Sequence, residues 1–343
     1  MKKKMLIIVN PISGTKSKGD APSLLNTYLD KDLFDYEICF TTHPGHATEM
    51  AHQAVQDHAD IVVAVGGDGT VNEVARSLVN TPTALGIIPC GSGNGLARHL
   101  FIPMQPQEAI NVINECVVRP LDYGTINQYP FFCTCGMGFD AMISQKFAEA
   151  GKRGLATYVE NVLREGLKYK PETYEIQDDQ GVTFEKAFLI SVANASQYGN
   201  NAYIAPQASM SDGLMDVVIM EPFDIIDATQ ISIDMFNKTL DKSSKIKTFR
   251  SRRIHIHRKH PGVVHYDGDP VQMGQDIDID IHPAGINIIV NAKADRSQRQ
   301  PNIIQSRAAQ ILNEISIIRE DITKRQRHAM ALGKLLQRKL TKQ

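Results

Sequence analysis

The sequence predicts an α/β domain followed by a β-rich domain, with a helical tail at the C-terminus. Three observations carry this. From Met5 to about Leu121, short β-branched runs alternate with helical stretches. From Phe131 to Ala292, strand-like runs follow one another around a single helical island, and beyond Pro301 apolar residues recur at steps of four and three. The expected boundaries are residues 1–125 for the first domain, rejoined by residues from about 286 to 300, then 126–285 for the second and 301–343 for the tail.

In the first segment, Met5 to Val9, Tyr36 to Phe40, Ile61 to Val65 and Ala84 to Ile88 read as buried strands. Pro22 to Leu29, Ala47 to Asp57, Val71 to Leu78 and Glu108 to Cys116 read as the helices between and after them. Strictly alternating strands and helices imply a parallel sheet covered on both faces.

In the second segment, the expected helical island is Leu155 to Leu167. The strands are Phe184 to Val192, Met215 to Met220, Arg253 to His257, Val263 to Tyr266, Ile277 to Ile281 and Ile286 to Val290. Runs such as RIHIH and DIDIDIH alternate apolar with polar residues, as antiparallel strands with one wet face do. On that pattern His255 and His257 belong to an ordinary surface strand rather than to a metal cluster with His260 and His265. Cys133 and Cys135 fall on one face of an apolar strand and read as packing residues.

In the tail, Ile304, Ala308, Ile311, Ile315, Ile318 and Ile322 form a heptad seam that Ala329, Leu332 and Leu336 resume after a break at Arg325. Two readings stand: a coiled coil that makes the protein a homo-oligomer, or a terminal helix lying on its own protein body. Lys324, Arg325, Arg327, Lys334, Arg338, Lys339 and Lys342 make the end basic, which suits a solvated face or peripheral contact with anionic lipid.

Composition narrows the classes. Of 343 residues 42% are hydrophobic, enough for a sizeable core, and 37 basic residues nearly balance 38 acidic ones, so no global field points to nucleic acid. Five cysteines without a CxxC pair argue for reduced thiols, not disulfides or zinc. The opening MKKKMLIIVNP is too short in its apolar run for a signal peptide, and no stretch is long enough to span a bilayer. A cytoplasmic protein is expected, meeting any lipid at the inner membrane surface.

The chemistry gathers at three glycine-rich turns. VVAVGGDGTVNEVA runs an apolar strand into Gly66, Gly67, Asp68, Gly69 and Thr70 and then a helix from about Val71. Glycines let backbone N–H groups close on a phosphate, and a helix N-terminus adds partial positive charge. Asp68 in the middle would repel a phosphate unless a cation stood between them, which favours a bound magnesium ion. The first strand delivers Asn10, Pro11, Ile12, Ser13 and Gly14, with Lys16 and Lys18 beyond, and the fourth delivers Gly91, Ser92, Gly93 and Asn94. In an open parallel sheet these strand ends share one edge, where ligands bind.

NPISG, GGDGTVNEV and GSGNGLAR, in this order, resemble the catalytic-domain motifs of the diacylglycerol kinase and sphingosine kinase superfamily, over nearly everything up to Ala292. The resemblance implies a Rossmann-like, phosphofructokinase-like domain, then an all-β sandwich, with the active site between them. It implies that Asn10 to Gly14, Gly66 to Asn72 (with Val71) and Ser92 contact ATP, together with Thr41. It implies a structural metal at Asp212, with the carbonyls of Ser209 and Leu214 as partners. The family's late DGE motif has its counterpart in YDGDP, so Asp269, or next Asp267, is expected to take the proton of the lipid hydroxyl. Aspartate in place of glutamate reaches one methylene less far.

The function expected is therefore an ATP- and magnesium-dependent lipid kinase, with diacylglycerol favoured and a sphingoid base next. The GSGN spelling resembles sphingosine kinases more than the GTxND form of soluble diacylglycerol kinases. An NAD kinase also uses GGDGT, yet GSGNGLAR fits the lipid kinases. A nucleotide-binding regulator without catalysis is disfavoured by the retained Asp68 and DGD acids.

Overall fold

The computed structural model describes residues 2–12, 21–150, 166, 169–223 and 225–294. All of them lie in one compact unit, Met1–Ser297. The helix expected at 155–167, apart from Gly166, and the tail at 301–343 lie outside the described residues, as do Ser13, Gly14, Lys16 and Lys18.

The first domain alternates as its sequence pattern demands. In order come β1 Lys3–Val9, α1 Ala21–Tyr28, β2 Phe34–Phe40, α2 His46–Gln56, β3 Ile61–Gly66, α3 Asp68–Leu78, β4 Ala84–Pro89, α4 Gly95–His99 and α5 Pro106–Glu115. The strands pair in the order β2-β1-β3-β4, all parallel. Every residue of β3 and β4 is buried, which is why both read as unbroken apolar runs. α5 opens with proline at its first turn and ends where Cys116 turns left-handed (φ 50°), its amide donating to the carbonyls of Val112 and Ile113. One core, including Ile7, Val63, Ile87, Val74 and Ile110, lies between sheet and helices.

The second domain is a sandwich of two sheets. Its elements are β5 Val118–Ile126, β6 Tyr129–Phe131, β7 Thr134–Gly138, α6 Phe139–Ala150, β8 Glu172–Asp178, β9 Gly181–Ala187, β10 Leu189–Ala193, β11 Met215–Met220, a helix Ile225–Asn237, β12 Ile246–Ser251, β13 Arg253–Arg258, β14 Gly262–Tyr266, β15 Asp269–Met273 and β16 Asp276–Ile289. One layer is six-stranded, in the order β12-β11-β10-β7-β14-β15. The other layer carries β16-β13-β8-β9 with β5 and β6, and it continues the sheet of the first domain. Between the layers Met137, Ile190, Val217, Ile254, Ile277 and their neighbours form a separate core.

β16 joins the two domains. Its first half pairs antiparallel with β13 and its last residues pair parallel with β4, at Asn287↔Ala84 and Ile288↔Leu85. The change is made at an irregularity between His282 and Ile286, where Ala284 has φ 52°. The runs expected as separate strands at 277–281 and 286–290 are thus one strand. Conversely, the run expected over 184–192 breaks at Phe188, because β9 and β10 belong to opposite layers. Continuous apolar text hides a change of sheet. Cys133 and Cys135 are both packing residues, but Cys133 precedes β7 and joins the core of the first domain, while Cys135 lies in the sandwich core.

Candidate active site

The four parallel strands end together. The amide of Asn10 donates to the Val65 carbonyl at 3.0 Å and that of Thr41 to the Val9 carbonyl at 3.0 Å, which stitches the ends of β1, β2 and β3. Asn10 also donates from Nδ2 to Thr70 Oγ1 (3.0 Å), and its Oδ1 accepts the amide of Ile12 (3.0 Å). Ile12 itself is 79% exposed, so the turn after β1 stands open to solvent beside Pro11. Val71, by contrast, is a core side chain and could meet a nucleotide only through its backbone. Thr70 and Asn72 are likewise buried.

The turns after β3 and β4 touch backbone to backbone. A Cβ on Gly91 would stand 2.7 Å from the Gly67 Cα, so only glycine permits this approach. The Cys90 amide donates to the Gly66 carbonyl (2.7 Å), continuing the ladder into the turns. Asn94 is left-handed (φ 51°), and its side chain closes its own turn by accepting from the Gly91 amide and donating to the Gly91 carbonyl.

Asp68 ties these turns together. Its Oδ2 accepts the amide of Asn94 (2.8 Å) and its Oδ1 the amide of Gly95 (2.6 Å). These two backbone donors, which the sequence does not reveal, meet part of the charge of Asp68. Each oxygen keeps a further lone pair, so a hydrated magnesium ion, which is held through one or two carboxylates, still fits. Ser92 and Gly93 lie between Gly91 and Asn94 on the same turn, and no side chain comes within 4 Å of a Cβ placed on Gly69.

The second domain faces this rim. Asn200 donates its amide to the Gly93 carbonyl (2.9 Å), which also accepts Arg98 Nε (2.9 Å). Asp267 (φ 52°) and Gly268 (φ 87°) are the two loop residues of the β14–β15 hairpin, and positive φ at both is the mark of a type I′ turn. The Asp-Gly pair is thus first a hairpin signal. Asp267 is half-buried, and both its oxygens are taken up by backbone: Oδ2 accepts the amide of Phe132 (2.8 Å), and Oδ1 accepts those of Cys133 (2.7 Å) and Thr134 (3.1 Å). Burial pushes its carboxyl above the ordinary range, opposed by those amides and by the charge of Arg76.

Asp269 differs in every respect. It begins β15 opposite Tyr266, with its side chain 49% exposed and Arg76 Nη2 2.8 Å from Oδ2. Of the two candidate bases, Asp269 keeps half its side chain open to solvent, while both oxygens of Asp267 accept backbone amides.

Sequence reasoning missed a buried group behind this hairpin. His265 is 2% exposed, and its Nε2 lies 3.0 Å from Asp140 Oδ2, which also accepts the Tyr198 hydroxyl (3.2 Å). The amide of Gly268 reaches toward His265 Nδ1 at 3.4 Å. The surface-strand reading concerns His255 and His257, which pair across strands with Asp278 and Asp276.

At the expected structural-metal turn, Asp212 Oδ1 accepts the Leu214 amide (3.1 Å) and Arg250 Nη1 lies 3.8 Å from Oδ2. A cation held there with the carbonyls of Ser209 and Leu214 would share that carboxylate with Arg250. Among the described residues no three His, Cys, Asp or Glu side chains converge as a metal cluster. The turn is anchored instead by buried Asp122, which accepts the amides of Gly213 (2.8 Å) and Ala284 (2.8 Å).

An α/β domain with a glycine-lined rim, faced by a β-sandwich that presents a carboxylate, defines a class of two-domain kinases, and known proteins of that class are similar to this chain. The family model described as the diacylglycerol kinase catalytic domain matches residues 4–126, and the YegS C-terminal NAD kinase β-sandwich-like domain matches 133–290. A YegS-like lipid kinase of Pectobacterium atrosepticum is 30% identical over 205 residues, covering 58% of this chain and 69% of that protein. The diacylglycerol kinase of Bacillus subtilis is 29% identical over 237 residues, 67% of this chain and 78% of that one. An uncharacterized protein of Synechocystis sp. is 28% identical over 251 residues, and the match spans 58% of that protein's length. A crystal structure of a diacylglycerol kinase from Bacillus anthracis shares the fold, with TM-score 0.68 and 24% identity over 84% of this chain and 97% of that one. The chain belongs to the diacylglycerol kinase family of lipid kinases. No helix among the described residues is long and apolar enough to cross a membrane.

Proposed function

We propose that the protein transfers the γ-phosphoryl group of ATP, taken as its magnesium complex, to the hydroxyl of a long-chain lipid. The observation that carries this reading is the placement of an accessible carboxylate, Asp269, on the second domain, on the Arg76 side of the helix that rises from the Gly66–Asp68 turn. The kinase-named relatives support the reaction class.

Phosphoryl transfer asks the protein mainly for positioning and charge neutralisation. The amides at the start of α3 and those of Ser92 and Gly93 would receive phosphate oxygens, with Asn10 and Thr41 at the flank. Bound magnesium would neutralise charge between the β- and γ-phosphates, and Asp68 would hold it through its remaining lone pairs. Asp269 would orient the lipid hydroxyl and accept its proton late in the transfer. Asp267 keeps the hairpin closed and takes no proton from the substrate.

Diacylglycerol is the first choice of acceptor and a sphingoid base the second. A structural cation at Asp212, and a tail that joins protomers or rests on anionic lipid, belong to the same proposal. The test is to incubate the protein with radiolabelled ATP and magnesium on mixed micelles of diacylglycerol, sphingosine, ceramide or polyprenol, with NAD as a control. Label in a lipid phosphate supports the reading; label in NAD alone, or in none of them, removes it.

A further inference from the structure

Arg76 is unusual among the charged residues of the site. It sits in the last turn of α3, eight residues and about 12 Å of helix rise beyond Asp68. Its side chain is only 20% exposed, its guanidinium lies 4.4 Å from the centre of the Tyr266 ring, and Nη2 stands 2.8 Å from Asp269 Oδ2. Tyr266 and Asp269 are cross-strand partners on the hairpin, so one cation from the first domain grips both sides of the turn that carries the candidate base.

The grip is incomplete. Nη2 and Nε are buried and neither makes a hydrogen bond, because the contact to Asp269 is close but not along an N–H direction. A guanidinium prefers to meet a carboxylate as a two-pronged fork, and desolvated donors without acceptors are costly. A carboxylate one methylene longer would reach further into that fork.

Electrostatics points the same way. Asp267 and Asp269 flank Gly268, and a triphosphate brought to the rim would add further negative charge. Arg76 is the cation that acts on Asp267 and contacts Asp269. Without it, repulsion would push the exposed carboxylate away from the phosphoryl group it must approach.

Resting on the lipid-kinase reading above, we propose that Arg76 is a positioning residue. It reaches from α3 across the domain boundary and fixes the Asp269 carboxylate on the β14–β15 hairpin.

The experiment compares Arg76→Ala, Arg76→Gln, Arg76→Lys, Asp269→Ala and the doubles Arg76→Gln/Asp269→Ala and Arg76→Ala/Asp269→Glu. Loss of Arg76 should lower kcat by about thirty-fold while the KM for ATP stays within about two-fold. Lysine should restore most of the loss, and glutamate at 269 should recover at least about ten-fold in the alanine background. Arg76→Gln/Asp269→Ala should be no slower than Asp269→Ala alone, since both changes remove one function. Hydrogen–deuterium exchange gives a second readout without turnover: amides of residues 266–270 should exchange faster in Arg76→Gln than in wild type or Arg76→Lys. Unchanged kcat and exchange in Arg76→Gln, or losses that multiply with Asp269→Ala, overturn the proposal. If the wild type phosphorylates no lipid, the functional reading fails, and the exchange comparison alone still decides whether Arg76 holds the hairpin.

Discussion

Gly67 and Gly91 meet so closely that a Cβ on Gly91 would lie 2.7 Å from the Gly67 Cα. The contact joins the turn after β3 to the turn after β4 with no side chain between, and it leaves the amides of both turns on one small surface. That surface is the proposed phosphate seat.

Gly91→Ala should therefore separate the turns. Because the obstruction is backbone and cannot rotate away, the cost should be about 1–3 kcal/mol of stability. Activity should fall further than that cost explains, with the KM for ATP rising first. Denaturant unfolding and steady-state kinetics measure both; a variant with wild-type KM shows that the close approach serves packing alone.

Asp68→Asn tests the other tie. An amide side chain turns a donor toward either Asn94 N–H or Gly95 N–H, both of which now point at carboxylate oxygens. A loss of about 1–3 kcal/mol is expected together with near-complete loss of turnover. Magnesium titration of the residual activity should show a weaker dependence on the metal. Normal turnover would dissociate Asp68 from catalysis.

Asp269→Ala should depress kcat by at least about a hundred-fold and leave ATP affinity nearly unchanged. Removing this side chain also leaves the largely buried Arg76 guanidinium without its carboxylate, so a modest fall in melting temperature is expected beside the loss of kcat. A kcat close to wild type would leave the proton acceptor unassigned, because Asp267 is occupied by three amides.

For Asp267 the prediction is one of pH. Burial raises its carboxyl above the ordinary value of 3.8, so between that value and the raised one the folded chain binds more protons than the unfolded chain. Stability from this group is full at lower pH and declines as pH rises through the window. The stability difference between wild type and Asp267→Asn should hence be larger near pH 4 than near pH 7. Matched denaturation curves at the two pH values check this, and the opposite order contradicts a raised Asp267 carboxyl.

How far the sequence shows this site depends on how local each interaction is. The four parallel strands were legible because buried strands write continuous apolar runs, and their glycine-rich ends were legible because a phosphate rim needs bare backbone. The double role of β16 was not, since nothing in DIDIDIHPAGINII marks where one sheet hands over to another. His265 falls in the expected strand Val263 to Tyr266, but its pairing was not legible, because its partner Asp140 is 125 residues away. The ties of Asp68 to the amides of Asn94 and Gly95 were not legible, as those residues are its neighbours only in three dimensions. Asp267 and Asp269 look equivalent in YDGDP, and only the positive φ of the turn and the enclosing amides separate them.

The central claim is tested most directly by the position of a bound triphosphate. Crystals grown with a non-hydrolysable ATP analogue and magnesium should show phosphate oxygens against the backbone of Gly66 to Thr70 and Gly91 to Gly93, with the terminal phosphate facing Asp269. A nucleotide seated elsewhere, with those turns bare at saturating analogue, would contradict the account.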